Sequence, residues 1–267
     1  MPKTARGLNY VTSDLRAPWR SSGLPVVFNH GIGTNLGIWS EWVPIVAARH
    51  PVVRFDMRGF GQSPVPAVGH RWTFDEMIDD LLDVAATTGA EKVHVVGESV
   101  GGTIALAAAI KAPERFASVA ISNASHRGAG VTNIQGWRQT FESQGSAAWN
   151  AEMMASRFYA GAVEPAALRW FSEVQESSDR HAVLALAALL AGADLGEALR
   201  GLQVPLSITL PDSSPFITPS HGAEMRALVP NSRLRIVPHA KHGLPFSHAR
   251  SEAEHLLAFL GEIEGAS

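Results

Sequence analysis

Residues Gly97-Glu98-Ser99-Val100-Gly101 constrain this chain more than any other stretch of it. They follow a short β-branched run, Lys92 to Val96, and open an apolar segment, Gly102 to Lys111, with the pattern of a buried helix. A strand that passes straight into a helix needs a turn so tight that its central residue takes strained backbone geometry. Only small residues then fit two positions to either side. The strain lifts the Ser99 hydroxyl clear of the sheet, and the turn sets the Val100 N–H at a helix N-terminus, where backbone donors have no intrahelical acceptor. On its own, G-x-S-x-G also describes a glycine-rich turn carrying a solvated serine, so the surrounding segments decide.

Upstream, Pro25-Val26-Val27-Phe28-Asn29 reads as a strand running into the loop His30-Gly31-Ile32-Gly33. A glycine-rich loop there lets the Ile32 N–H approach the serine as a second donor beside that of Val100. Val52-Val53-Arg54-Phe55 reads as another buried strand, ending in Asp56-Met57-Arg58-Gly59-Phe60-Gly61-Gln62-Ser63. Arg233 to Val237 alternates like a strand end, and His242-Gly243 follows shortly after. With H-G-x-G, D-x-R-G-x-G-x-S and G-x-S-x-G in this order and spacing, completed by the late histidine, the chain resembles the α/β-hydrolase fold superfamily over essentially its whole length.

Strand-like runs at 8–11, 25–29, 51–56, 92–97, 117–122, 204–210 and 233–237 alternate with helical patterns at 38–48, 73–87, 99–111, 219–228 and 248–263. That alternation predicts an α/β protein with a mostly parallel, doubly wound sheet covered on both faces. Thr73 with Glu76 has the capping-box pattern, and Ala112-Pro113 closes the helix after the serine turn. The stretch 127–203 breaks the rhythm: it is rich in aromatics and offers no convincing strand. The resemblance implies a helical cap at this place, inserted after the sixth core strand. It divides the chain into a first core part (1–126), the cap (127–203), and a second core part (204–267) carrying the acid and histidine loops. Aromatics at helical spacing, such as Trp137 and Phe141, pack helices together. A cap that excludes water must still turn some of them toward substrate, and Trp137, Trp149, Phe158 and Trp170 are the candidates.

Composition narrows the function classes. A net charge of −3 over 267 residues, with no dense Lys/Arg stripe, gives no footprint for nucleic acid. The longest apolar runs fall short of the ~20 residues a bilayer span needs, so no membrane partner is expected. The first twenty residues lack the apolar core of a secretory signal, and the chain has no cysteine. Both are compatible with a cytoplasmic protein, and they exclude disulfides and a thiol nucleophile. Homo-oligomerisation stays open.

Ser99 at its free pKa is a poor nucleophile and needs a base, with a third group to orient that base. His242 stands in a V-P-x-A-x-H-G setting that matches the catalytic loop of the resembled family. His239 lies too close to the strand end, and His248 starts the last helix. The three together match no standard metal-ligand spacing, so neither metal nor cofactor is expected. The resemblance puts the acid at the position of Ser214, which is not a carboxylate; Asp212 lies two residues early. The other family location, after the sixth core strand, holds Asn123. Three readings follow: Asp212 reaches His242 through a reshaped loop, Ser214 substitutes as a weaker orienter, or the acid is absent. Asp212 is favoured, because a neutral serine does not stabilise imidazolium as a carboxylate does.

His30 is read as structural, Asp56 with Arg58 as a buried ion pair, His94 as a satisfied core histidine, and His126 and Arg127 as a solvated rim under the cap. Serine at position 99 argues against the aspartate nucleophile of the family's dehalogenases and epoxide hydrolases. The stretch from Ile121-Ser122-Asn123 through Ala193-Asp194-Leu195 to Val204-Pro205 resembles the 3-oxoadipate enol-lactonase branch and related carboxylic-ester hydrolases. That implies a small ester or lactone, hydrolysed through an acyl group on Ser99. Amide or C–C bond hydrolysis, cofactor-free lyase chemistry, and a hydrolase fold that only binds a small molecule are the alternatives.

Overall fold

The β-branched runs pair into a single seven-stranded sheet in a computed structural model that describes residues 2–20, 23–128 and 134–265. The strands are β1 (Tyr10–Ser13), β2 (Val26–Asn29), β3 (Val52–Phe55), β4 (Val93–Glu98), β5 (Phe116–Ser122), β6 (Leu206–Pro211) and β7 (Arg233–Val237). Their order is β1-β3-β2-β4-β5-β6-β7, parallel throughout except for β1, which runs antiparallel to β3. Strands β2, β4 and β6 are buried at every position. A strand covered on both faces has no solvent side to carry polar residues, which is why these three read as near-continuous apolar runs.

The period of two along β2 sorts its side chains between the two layers. Val27 joins a core with Ile78, Leu81 and Val84 of α2 (Phe74–Ala86) and Ile104 of α3 (Val100–Lys111). Val26 and Phe28 join a second core, with Val46 of the short α1 (Val43–Val46) and Leu256, Phe259 and Leu260 of the C-terminal helix. The continuous helix expected over 38–48 is instead a 3₁₀ turn, Leu36–Trp39, followed by the four-residue α1. Pro44 near the start of α1 has no N–H to bond back into a preceding turn. Thr73 caps α2 by accepting from the Glu76 N–H at 3.1 Å. The other half of the capping box is diverted: the Glu76 carboxylate meets His70 Nε2 at 2.8 Å and Arg58 Nε at 3.5 Å.

Between β5 and β6 lie only helices among the described residues: α4 (Ile134–Gln144), α5 (Ser146–Arg157), α6 (Pro165–Glu176), α7 (Arg180–Ala191) and α8 (Gly196–Leu199). Residues 129–133 of the expected cap lie outside the described residues. Trp137, Phe141, Trp149, Met153 and Leu186 belong to the same apolar cluster as α2 and α3. Their packing is therefore continuous with the core rather than closed on itself. Three further helices, α9 (Pro219–Leu228), α10 (Leu244–Ser247) and α11 (Ala249–Gly265), complete the fold. Among the described residues no helix is long and apolar enough to cross a membrane.

Candidate active site

Ser99 joins β4 to α3 with φ 54° and ψ −125°, a region that non-glycine residues occupy only when their surroundings over-determine it. The glycines at its flanks are what make the turn sterically feasible. A Cβ on Gly97 would lie 2.5 Å from the Gly101 carbonyl oxygen, and one on Gly101 would lie 2.3 Å from that of His30. The Ser99 N–H donates to Ser122 O at 2.9 Å, tying the turn to the end of β5. The expected oxyanion donors sit on the two sides of this elbow. Val100 is the first residue of α3. The Ile32 loop is pressed on the elbow so closely that a Cβ on Gly31 would come within 3.0 Å of Ser99 Cβ.

His242 Nε2 lies 3.2 Å from Ser99 Oγ. The loop behind β7 holds the ring there through polar contacts: Asp212 accepts from the His239 and Ala240 amides at 2.8 and 3.1 Å, and Asn123 Nδ2 donates to the His242 carbonyl at 2.5 Å. Burial, reinforced by the positive charge of Arg157, holds the His242 pKa well below that of an ordinary histidine. The ring is therefore neutral, the form a base requires.

The expectation that Asp212 orients this ring is corrected. Asp212 is exposed, and its carboxylate is taken up by the two loop amides, which keep its pKa below the usual range. The group at His242 Nδ1 is the buried Ser214 hydroxyl, at 3.1 Å. Ser214 Oγ also accepts from the Phe216 and Ile217 amides, each at 3.2 Å. A hydroxyl has two lone pairs and one proton. With both lone pairs engaged by backbone donors, the proton is what remains for Nδ1. That places the ring hydrogen on Nε2, facing Ser99, so the base-competent tautomer requires the Ser214 hydroxyl to turn.

Two charged groups in the site escaped the sequence reading. Glu98, the last residue of β4, is buried, with Oε1 4.0 Å from His242 Nε2 and 3.8 Å from Arg157 Nη1. Burial pushes its pKa up to about 7, against the opposing pull of Arg157 and the Gly31 N–H. Arg157, at the end of α5, is itself buried; it donates to Gln175 Oε1 at 2.7 Å and to the Ile32 carbonyl at 2.9 Å. It thus ties the helical insertion to the loop carrying Ile32. The available signal was a lone carboxylate ending an otherwise uncharged strand; nothing local to Arg157 announced its partner.

Three of the four candidate aromatics bear on the site. Trp137 meets Phe216 edge-on at 5.8 Å, and Phe216 in turn meets the His242 ring at 4.9 Å. Trp149 lies against Gly33, where a Cβ would come within 3.0 Å of its ring, and Phe158 covers Gly243, where a Cβ would come within 2.2 Å. The indole nitrogens of Trp137 and Trp149 are buried without a hydrogen-bond partner. Trp170 instead stacks on Phe246 at 5.7 Å and leans on Gly37.

The supporting residues divide similarly. His30 donates from Nδ1 to the Gly31 carbonyl at 2.8 Å and accepts the Met57 N–H at Nε2 at 2.9 Å, a structural role as expected. Asp56 and Arg58 do not pair with each other. Asp56 accepts from the Leu36 and Gln62 amides and from Asn9, while Arg58 binds Asp80 at 2.7 Å. His126 is wholly buried rather than solvated.

Residues 25–249 match a family model described as the alpha/beta hydrolase fold. The chain is 26% identical over 227 residues to the 3-oxoadipate enol-lactonase 1 of Acinetobacter baylyi, covering 79% of each protein. Over a shorter stretch of 97 residues it is 37% identical to a 2-hydroxymuconate semialdehyde hydrolase of Pseudomonas sp., covering 35% of this chain and 34% of that one. The enol-lactonase structure from Burkholderia xenovorans superposes with a TM-score of 0.85 at 22% identity, covering 95% of this chain and 96% of that one.

Proposed function

The chain belongs to the alpha/beta hydrolase fold family, and from that premise we propose that it hydrolyses a small carboxylic ester or lactone through an acyl group carried on Ser99. The observation that carries this reading is the 3.2 Å contact between Ser99 Oγ and His242 Nε2 at a strained elbow. Once the Ser214 hydroxyl turns and the ring hydrogen sits on Nδ1, Ser99 Oγ attacks the carbonyl carbon while His242 Nε2 takes its proton. The Ile32 and Val100 N–H groups hold the developing oxyanion. The C–O bond then breaks, and His242 returns the proton to the leaving oxygen; in a lactone that oxygen stays tethered to the acyl group. Water, deprotonated by His242, attacks the acyl carbon and frees Ser99. Ser214 orients the ring, and the scheme draws on the chain's own groups throughout. The enol-lactonase relative that aligns over most of the chain supports a lactone or enol ester. The cap aromatics Trp137, Trp149 and Phe158 supply the apolar wall for a small acyl group.

A fluorophosphonate probe tests the nucleophile without knowledge of the substrate, and a panel of p-nitrophenyl esters and lactones tests the reaction. Wild type is expected to label stoichiometrically and to turn over at least one panel member. Ser99→Ala is expected to lose labelling and to lower turnover by about 10⁶, the scale of losing a triad serine. Labelling that survives Ser99→Ala would place the chemistry elsewhere. The hydroxyl at position 214 favours one second reading, a fold that binds a small molecule with little turnover. It is distinguished by saturable ligand binding with neither labelling nor product.

A further inference from the structure

We propose that His50, His94 and Glu264 form a binding site for one divalent first-row transition ion of the zinc type, remote from Ser99. These residues come from three distant parts of the chain: the segment before β3, the second residue of β4, and the last turn of α11. One donor atom from each lies within 4.8 Å of the others. A tetrahedral zinc with bonds of ~2.0–2.1 Å holds its ligand atoms roughly 3.3–3.4 Å apart. Glu264 Oε1 lies 3.3 Å from His94 Nε2 and 3.7 Å from His50 Nδ1. Two of the three edges are therefore within a few tenths of an ångström of a metal polyhedron.

The surroundings are those of a held ligand set. His94 is fully buried, and its Nδ1 meets Ser118 Oγ at 2.8 Å, which fixes the ring and aims Nε2 at the carboxylate. Hydrogen bonding of the distal nitrogen in this manner is how proteins orient metal-binding histidines. Glu264 Oε1 is anchored by the Leu24 N–H at 2.8 Å. His50 Nδ1 meets the Leu24 carbonyl at 3.0 Å, a hydrogen bond it exchanges for the metal as its ring proton moves to Nε2. Backbone closes over the group at Gly23, where a Cβ would come within 2.5 Å of His50 Nδ1 and 3.2 Å of Glu264 Oε1. Two of the three residues, His50 and Glu264, line an open cavity of about 450 Å³, which gives an entry path on the side away from the buried His94.

Arg20 and Arg49, both exposed, line the outer wall of that cavity and oppose any cation. Magnesium and calcium, which want several oxygen ligands, would find one carboxylate against two guanidinium groups. Imidazole nitrogens instead select transition ions. A bound ion would staple α11 to β4 and to the segment before β3.

The test is titration of chelator-treated full-length protein with Zn(II), and with Co(II) to read coordination by visible absorption. One saturable site is expected, with the intense absorption of low-coordinate Co(II), a raised melting temperature, and no comparable response to Mg(II). Ser118→Ala, which frees the distal nitrogen of His94, should weaken binding by about 10-fold or more. Glu264→Gln and His50→Gln should each weaken it further, while keeping the metal-free circular dichroism of wild type. Ser99→Ala should bind as wild type does, so failure of the hydrolase reading leaves this result readable. Absence of saturable binding, or binding unchanged in Glu264→Gln and His50→Gln, overturns the proposal.

Discussion

Replacing Ser214 by aspartate is expected to accelerate the Ser99 chemistry, and the structure sets the size of the gain. In wild type the hydroxyl proton is the group left for His242 Nδ1, so base catalysis starts from the less favoured tautomer, at a cost of about one hydrogen bond, ~1 kcal/mol. A carboxylate at position 214 has no proton to give and holds the Nδ1–H tautomer outright. It also faces the imidazolium formed as Ser99 attacks: two unit charges about 4 Å apart at an effective dielectric of ~20 interact by about 4 kcal/mol. Together these come to about 5 kcal/mol, which at ~1.36 kcal/mol per tenfold bounds the gain between about 10³ and 10⁴. Desolvation of the new carboxylate takes back part of it, offset by the Phe216 and Ile217 amides that now serve Ser214 Oγ. The expected increase is thus about 10²-fold. The assay is the second-order rate of fluorophosphonate labelling, with turnover on an activated ester in parallel, for wild type, Ser214→Asp and Ser214→Ala. Because the carboxylate raises the His242 pKa, the acid limb of the profile, where the base is lost to protonation, should move to higher pH. A folded Ser214→Asp protein that labels no faster than wild type and than Ser214→Ala refutes the argument.

The same assay separates the other roles. Asp212→Asn should cost less than about tenfold in labelling rate, because its carboxylate pins the loop amides rather than the ring; a loss near 10⁴, as when a triad acid is amidated, would restore it as the acid. Glu98, with its pKa pushed up to about 7, changes charge beside His242 near neutrality. The labelling rate should therefore rise through that region as the new negative charge makes His242 more basic. The inflection should vanish in Glu98→Gln, and its persistence would assign it to another group. Trp137→Phe and Trp149→Phe should shift preference along a series of acyl chain lengths by up to about tenfold per methylene. Trp170→Phe should leave the preference as in wild type, with thermal melts confirming that each variant folds.

What the sequence determined by itself is what short-range sterics govern. Whereas Gly101 is demanded by the distant His30 carbonyl, the strain at Ser99, the glycine at 97, the cap at Thr73 and the break at Pro113 each involve residues within a few positions of one another. Such constraints are written into residue types directly. The alternation of strand-like and helical runs indicated a sheet covered on both faces, because parallel strands need crossover helices. His242 was singled out by its V-P-x-A-x-H-G setting, which matches the catalytic loop of the resembled family.

The partners of His242 were decided only by the tertiary structure. Asp212 and Ser214 lie two residues apart on one loop, and which of them reaches the ring depends on the amides that loop meets 27 and 28 residues later in the chain. Asp212 accepts from the His239 and Ala240 amides, and Nδ1 meets the Ser214 hydroxyl. Glu98 and Arg157 approach one another across the elbow and the helical insertion, and His94 and Glu264 are 170 residues apart. Burial raises the cost of an unpaired charge and thereby shifts pKa values, but burial is a property of the packed whole. A lone Glu in a strand, or a His near a helix end, carries no mark of it until the layers close.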